Sequence, residues 1–386
     1  MVIGVPTEIM EGERRVAATP DSVRRLVGDG HQVLVQSGAG IGSFHVDEAY
    51  REAGATVMED EVLLFQKADV IIKVKEPLFN ETLGRHEADL MRPDQILITF
   101  IHPASPANHD LVRKLAANGI TAITLDAVPR ITRAQRMDAL TSMSTCAGYK
   151  GMLLAADSLT TFMPMIVTAV GMIQPVNVLV VGTGVGGLQA LATAKRLGAV
   201  CHAADIRPDA VEQAASLGAK TVDLGIPVDE AVGEGGYARK LSKERLREER
   251  ERLAEVLPKM DIVFLSALIP GKKAPILLTE DMVKMMKPGS VIVDISIDQG
   301  GNCAITPPGH TEKKHDVTII GIKNIPGLIP QSSTWLFSQN VYNLLKIVLP
   351  TADSVDVSDE IVQAALTTYK GEIVHKGTLE AMSADS

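Results

Sequence analysis

Residues 176–207 read VNVLVVGTGVGGLQALATAKRLGAVCHAADIR, and the order of residue types in this stretch decides the fold. A valine-rich run over 176–181 predicts a buried strand. It leads directly into Gly182-Thr183-Gly184-Val185-Gly186-Gly187, then a helix over 188–197, then a second strand ending at Asp205. In that context the glycines have separate tasks. Gly182 permits the tight turn, Gly184 lets backbone approach a pyrophosphate, and Gly187 lets helix pack on strand, leaving the helix N-terminus and Val185 facing the phosphates. Asp205 lies 21 positions after Gly184, where a carboxylate accepts from the adenosine ribose hydroxyls. A carboxylate there repels a 2′-phosphate, which favours NAD over NADP. Ile206 and Arg207 belong to the same pocket, and Arg207 leaves open a pairing with that phosphate. The whole is read as a dinucleotide site.

Outward from this unit, further strands are predicted over 262–266, 290–295 and 317–320. Upstream, a strand over 2–5 precedes Thr19-Pro20, an N-cap with proline at the first helical position, then a helix to Gly28 and a strand over 32–35. Strands over 70–74, 96–101 and 121–125 continue the series. The alternation implies an α/β fold of two Rossmann-like, doubly wound parallel-sheet domains. A long helix over 138–159 follows the first series, and an apolar helix over 332–349 is expected to return to the first domain. The first domain is therefore discontinuous, 1–140 and 331–386, around a nucleotide-binding domain at 141–330, with a cleft between them. The run over 239–255 is densely charged and reads as a solvated helix face. Gly38, Gly40 and Gly42 lack a third glycine at the fingerprint spacing and read as a tight loop.

The 386 residues, 46% hydrophobic, suffice for two cores. A formal charge of −9 repels phosphate backbones and anionic lipid heads, which argues against nucleic-acid binding. Cys146, Cys201 and Cys303 form no Cys-x-x-Cys pair, so no metal site is expected and a reducing cytoplasm fits. The first residues carry no secretory leader pattern. Residues 158–194 contain no charge, but Pro164, Gln174, Pro175 and Asn177 interrupt them, and they read as buried α/β core rather than a membrane span.

The segment Pro129-Arg130-Ile-Thr-Arg133-Ala-Gln135-Arg-Met-Asp138-Ala-Leu-Thr141, continuing to Ala147-Gly148-Tyr149, resembles the nicotinamide-facing loop in the first component of the proton-translocating nicotinamide nucleotide transhydrogenases. The resemblance covers nearly the whole chain. It includes Gly233-Glu-Gly235-Gly236-Tyr237-Ala238, similar to that family's mobile loop, Ser266-Ala267-Leu268-Ile269-Pro270-Gly271-Lys272, and Gly300-Gly301-Asn302-Cys303. It implies that Arg130, Gln135, Asp138 and Thr141 surround the nicotinamide and its ribose, with Gln135 nearest the ring of a second nucleotide. Gly236, Tyr237, Ser266, Ala267 and Leu268 would contact the NAD. Hydride transfer between two nicotinamides needs rings at contact distance in a dry site, not a general acid or base. From the residues alone, the lesser alternative is that Arg130 and Asp138 form an ion pair capping the long helix. The resemblance further implies a homodimer that docks on an NADP-binding subunit and a membrane-spanning subunit, peripheral on the cytoplasmic face of the membrane.

Four positions depart from that pattern and are similar to alanine dehydrogenase, of the same superfamily. Arg15, Lys75, His102 and Asp298 correspond to its substrate site. That likeness implies Arg15 and Lys75 on the carboxylate and carbonyl of pyruvate, His102 as general acid/base, and Asp298 assisting at the nicotinamide. Transhydrogenases generally lack the histidine and the aspartate. An imidazole near neutral pKa suits such proton transfer. His102 is otherwise a structural residue at a strand end, and Arg15 and Lys75 surface cations. The transhydrogenase pattern is the more extensive, and a non-catalytic nucleotide-binding regulator is the third reading.

Overall fold

The computed structural model describes residues 1–233, 238–268, 273–351 and 355–384. The chain forms two compact units, one of Met1–Met143 with Gly327–Ser386 and the other of Ser144–Pro326. The boundary falls within the helix Ala139–Ser158.

In the first unit, eight strands lie in the order Glu372–Ile373, Leu366–Tyr369, Thr121–Thr124, Ile96–Thr99, Val70–Ile72, Val2–Val5, Gln32–Gln36, Thr56–Met58. The six from Thr121–Thr124 to Thr56–Met58 pair in parallel, whereas Leu366–Tyr369 and Glu372–Ile373 add antiparallel to the edge. Numbered along the chain, the parallel strands run 3-2-1-4-5-6, so the winding reverses between Val2–Val5 and Val70–Ile72. The helix Pro20–Gly28 starts where Thr19 and Ser22 form a reciprocal capping box, with proline at its first turn. The helix Pro330–Val348 belongs to this unit. Its Tyr342 hydroxyl donates to Asp29 at 2.7 Å and the Tyr342 ring lies 3.7 Å from the Arg25 guanidinium carbon.

The second unit repeats the order with seven strands: Lys220–Thr221, Val200–Ala204, Asn177–Val181, Ile262–Leu265, Val291–Asp294, Val317–Ile320 and Thr311–Lys314. All pairs are parallel except Thr311–Lys314 with its neighbour. Both faces are buried. Val178, Val180, Phe264, Val291 and Val293 pack in one core with Met152, Ala190 and Ala194. Leu179, Val181, Val263, Leu265 and Ile292 pack in the other with Leu253, Leu257 and Val283. Burial on both sides is why these strands are runs of β-branched residues instead of alternating ones.

Two expectations change. Apart from Met163, the charge-free stretch is buried core only from residue 176 onward. Before it, Ile166–Thr168 and Gly171–Ile173 form an antiparallel hairpin on which Val167 is 71% and Val170 98% exposed. An absence of charge marked a surface here, because a two-stranded ribbon has no second layer to cover it. The charged run also starts later than expected, as the helix Lys243–Val256. One face of it is solvated as expected, and the other buries Glu249 and Leu253. Among the described residues, no helix is long and apolar enough to cross a membrane.

Candidate functional site

In the second unit the winding reverses between Asn177–Val181 and Ile262–Leu265, and ligands of such sheets bind beyond the strand ends at that point. Two backbone segments meet there: the turn after Val181 and residues 266–268. Gly182 has φ +85°, and a Cβ on it would lie 2.7 Å from Ala267 N. Ser266 Oγ donates to Gly182 O at 2.6 Å. A Cβ on Gly187 would lie 2.0 Å from Gly182 O, so helix and turn are in direct backbone contact. At Gly184 the surroundings are open among the described residues, with Arg207 Nη2 the nearest atom at 3.9 Å from such a Cβ. Gly184 is also the N-cap of the helix Val185–Arg196 and supplies no side-chain cap. Its first-turn N–H groups are thus available to an anion, reinforced by the helix dipole. This is a cradle that fits the pyrophosphate of a dinucleotide.

Asp205 stands just past the end of the next strand with its carboxylate nearly saturated. Oδ2 accepts from Thr183 N at 2.7 Å and Arg207 Nη2 at 2.8 Å, while Oδ1 accepts from Arg207 N at 2.9 Å and Nε at 3.0 Å. The aspartate therefore pins the glycine turn through Thr183 and holds the Arg207 guanidinium, which is 20% exposed against 4% for the carboxylate. A ribose diol reaching Asp205 has to displace part of the arginine. Ile206 lies partly buried beside them and packs on the second core of this unit. Gly236 and Tyr237 lie outside the described residues, as do residues 269–272 of the segment that begins at Ser266; Ser266, Ala267 and Leu268 themselves are described and half-buried.

Behind Asp205 the helix Lys243–Val256 brings up Glu249, 5% exposed. Burial pushes its pKa up to about 7, the Asp205 charge adds to the rise, and Arg250 opposes it. A carboxyl raised above its unfolded value takes up protons on folding between roughly pH 4.5 and 7, so its contribution to stability falls as pH rises through that window. Glu249→Gln removes the titration. It is expected to be more stable than wild type at pH 8, by up to about 3 kcal/mol, with the gain falling below about 1 kcal/mol at pH 5. Urea unfolding at the two pH values checks this, and an equal effect at both would contradict it.

In the first unit the strand ends carry ionisable groups instead of glycines. Lys73 is 1% exposed between Glu87 Oε1 at 2.5 Å and Glu8 Oε2 at 3.6 Å. Burial raises the Glu8 pKa to about 7, opposed by the Lys73 charge. Glu8 also accepts from Val74 N at 2.6 Å and Lys75 N at 3.2 Å, fixing the backbone that bears Lys75. Arg15 is not a surface cation. It is 3% exposed, with Nε and Nη2 on Glu13 at 2.8 and 2.5 Å. His102 has φ +48°, a left-handed conformation that costs a side-chain-bearing residue energy and is held by neighbours. The holder is Asp126. It accepts His102 N at 2.7 Å and Ile101 N at 3.1 Å, and pairs with His102 Nδ1 at 2.6 Å. Burial alone lowers the imidazole pKa, but the Asp126 charge and hydrogen bond, with Glu76, outweigh it and hold it above the ordinary value. His102 is thus a histidine with a carboxylate partner that fixes its ring.

Among the residues expected near nicotinamide, Asp138 accepts Thr141 N at 2.8 Å and Thr141 Oγ1 at 2.6 Å, capping the helix Ala139–Ser158. Arg130 and Gln135 are exposed. Neighbouring Arg133 is bound by Asp359 at 2.7 Å and Glu360 at 3.1 Å. Asp298 is exposed in the second unit and accepts Asn324 N at 3.4 Å. The sequence reading missed Asp126, Glu8, Thr183 and Glu249. Only Thr183 carried a signal, its place inside the glycine turn; the others are paired by tertiary structure. No group of three or more metal-ligating side chains occurs among the described residues.

Comparison with known proteins matches residues 4–147 to the alanine dehydrogenase/PNT N-terminal domain and residues 151–376 to the alanine dehydrogenase/PNT C-terminal domain. An NAD(P) transhydrogenase subunit alpha polypeptide of Rhodospirillum rubrum is 40% identical, over 97% of this chain and 98% of that protein. The crystal structure of a transhydrogenase from Sinorhizobium meliloti superimposes with a TM-score of 0.84 at 36% identity, covering 97% of this chain and all of the other. Alanine dehydrogenase of Bacillus subtilis is 33% identical, over 100% of this chain and 94% of that enzyme.

Proposed function

Because this chain belongs to the alanine dehydrogenase/PNT family, we propose that it is the NAD(H)-binding subunit of a proton-translocating transhydrogenase, passing hydride between NADH and NADP held by a partner subunit. The observation that carries the reading is the uncapped helix N-terminus at Gly184 beside Asp205, in a chain similar along its length to a transhydrogenase subunit. The nicotinamide supplies the hydride chemistry. This chain's role is to bind and orient. The turn from Gly182 to Gly187, with Val185 at its helix start, takes the pyrophosphate; Asp205, Ile206 and Arg207 take the adenosine ribose; Ser266, Ala267, Leu268, Gly236 and Tyr237 line the nucleotide. Arg130, Gln135, Asp138 and Thr141 are assigned to the nicotinamide end on family likeness, with Asp138 and Thr141 held together by their hydrogen bonds.

A subunit of this kind works with an NADP-binding partner and a membrane-spanning partner that couples transfer to proton movement, placing it peripherally on the cytoplasmic face. A homodimer is included in the same reading and is supported by the exposed apolar hairpin, where Val167, Val170, Met172 and Ile173 are solvent-facing. Apolar surface of that kind, on an unsupported ribbon, marks a protein contact.

The His102–Asp126 pair favours a second reading, NAD-dependent alanine dehydrogenation with Arg15, Lys75, His102 and Asp298 at the substrate. Against it, Arg15 already holds Glu13, so a substrate carboxylate would have to compete for the guanidinium. Purified chain mixed with NADH, pyruvate and ammonium tests both readings. The proposal expects NADH to bind and its absorbance to stay constant. Rapid oxidation would replace it with the dehydrogenase.

A further inference from the structure

Residues 266–268 contribute to the nucleotide cradle, and Ser266 still follows the strand pairing, its N–H donating to Val181 O at 2.9 Å. Ala267 is supported by a buried side chain 35 positions downstream. Asn302 is fully buried and spends its whole amide on this loop: Oδ1 accepts from Ala267 N at 3.0 Å, and Nδ2 donates to Ala267 O at 2.9 Å and to Pro275 O at 2.8 Å. Both peptide groups of Ala267 are therefore satisfied by one side chain, as a neighbouring strand would satisfy them. The peptide that joins Ser266 to Ala267 is also the backbone that approaches Gly182.

Asn302 is itself held. Asp294, buried at the end of Val291–Asp294, accepts from Asn302 N at 2.8 Å, Cys303 N at 3.1 Å, Thr306 Oγ1 at 2.9 Å and Ser296 N at 3.1 Å. Gly301 makes this possible. It has φ +80°, and a Cβ there would lie 2.8 Å from Asp294 Oδ2. Hydrogen bonds thus run from Asp294 through Asn302 to Ala267, whose backbone packs directly against the first glycine of the turn.

We infer that Asn302 is a positioning residue of the nucleotide site, whose amide fixes the Ala267 peptide against Gly182 and so sets the wall of the pyrophosphate cradle. This rests on the reading that the second unit binds NADH. The amide is specific to the task. Asn302→Asp keeps the shape and the acceptor for Ala267 N but sets a carboxylate oxygen against the Ala267 and Pro275 carbonyls, and protonation at low pH restores one donor.

NADH affinity measured by fluorescence, at a temperature where near-ultraviolet circular dichroism shows each variant folded, tests the inference. Asn302→Ala is expected to raise the NADH Kd roughly ten-fold or more, because Ala267 is left with unpaired buried groups. Asn302→Asp should show the same loss at pH 8 and recover some of it toward pH 5.5, beyond any pH change seen in wild type. Met152→Ala, a core truncation in the same unit, should lower Tm and leave Kd unchanged. The inference is overturned if Asn302→Ala binds as wild type does, or if the asparagine variants and Met152→Ala show Kd rising in proportion to lost stability. Failure of the wild-type chain to bind NADH would instead remove the underlying reading, and the inference with it.

Discussion

Gly182→Ala is expected to weaken NADH binding by at least about 30-fold and to lower the melting temperature of the second unit. Gly182 sits at φ +85°, where an L side chain costs roughly 1–2 kcal/mol. The added methyl also meets backbone, with Ala267 N and the Ser266 carbonyl carbon each 2.7 Å from the Cβ position. Overpacking of that kind costs about 1–3 kcal/mol. Together they amount to roughly 2–5 kcal/mol, of which even the lower end is a 30-fold change in an equilibrium constant. Gly184→Ala separates folding from binding. Among the described residues nothing lies closer than 3.9 Å to its Cβ position, so the fold should be unaffected while the pyrophosphate loses its closest approach. Calorimetric unfolding with NADH titration reads both. Gly182→Ala with affinity within threefold of wild type would contradict the placement of the cradle.

The second large effect is expected at Asp205. Asp205→Ala removes the acceptor for Thr183 N and for Arg207, and with it the group assigned to the adenosine ribose. The loss in NADH affinity should be about 1–3 kcal/mol, the scale of charge-assisted hydrogen bonds left unmade. The released Arg207 guanidinium then faces the pocket without its counter-charge, which suits a 2′-phosphate. The variant should consequently lose more affinity for NADH than for NADPH, and the preference between them should narrow. Unchanged NADH binding would remove Asp205 from the site. An equal loss for both nucleotides would assign it only the support of the turn through Thr183.

The central parallel strands of both sheets were legible in the sequence because they are buried on both faces and so appear as uninterrupted β-branched runs between turn signals. The edges were not. Leu366–Tyr369 and Glu372–Ile373 are short, and Leu366–Tyr369 pairs with a strand more than two hundred positions earlier, so no local pattern announces them. The hairpin at Ile166–Thr168 and Gly171–Ile173 was hidden by its own composition, since an apolar ribbon and an apolar core look alike until a covering layer is located. Within the candidate site, the glycine turn could be read because each glycine answers a local backbone demand. The ionic partners could not. Glu8 with Lys73, Asp126 with His102, and Glu249 behind Asp205 are brought together by strand order, which residue spacing does not encode.

Transfer of hydride between two nucleotides is the direct test of the function. The chain, loaded with NADH, would be mixed in a stopped-flow instrument with the NADP-binding component of a relative's transhydrogenase, carrying an NADP analogue whose reduced form absorbs at a separate wavelength. The account predicts rapid reduction of the analogue in a single turnover, dependent on both proteins and lost with Gly182→Ala. No transfer, with NADH binding and complex formation both confirmed in the same sample, would contradict it.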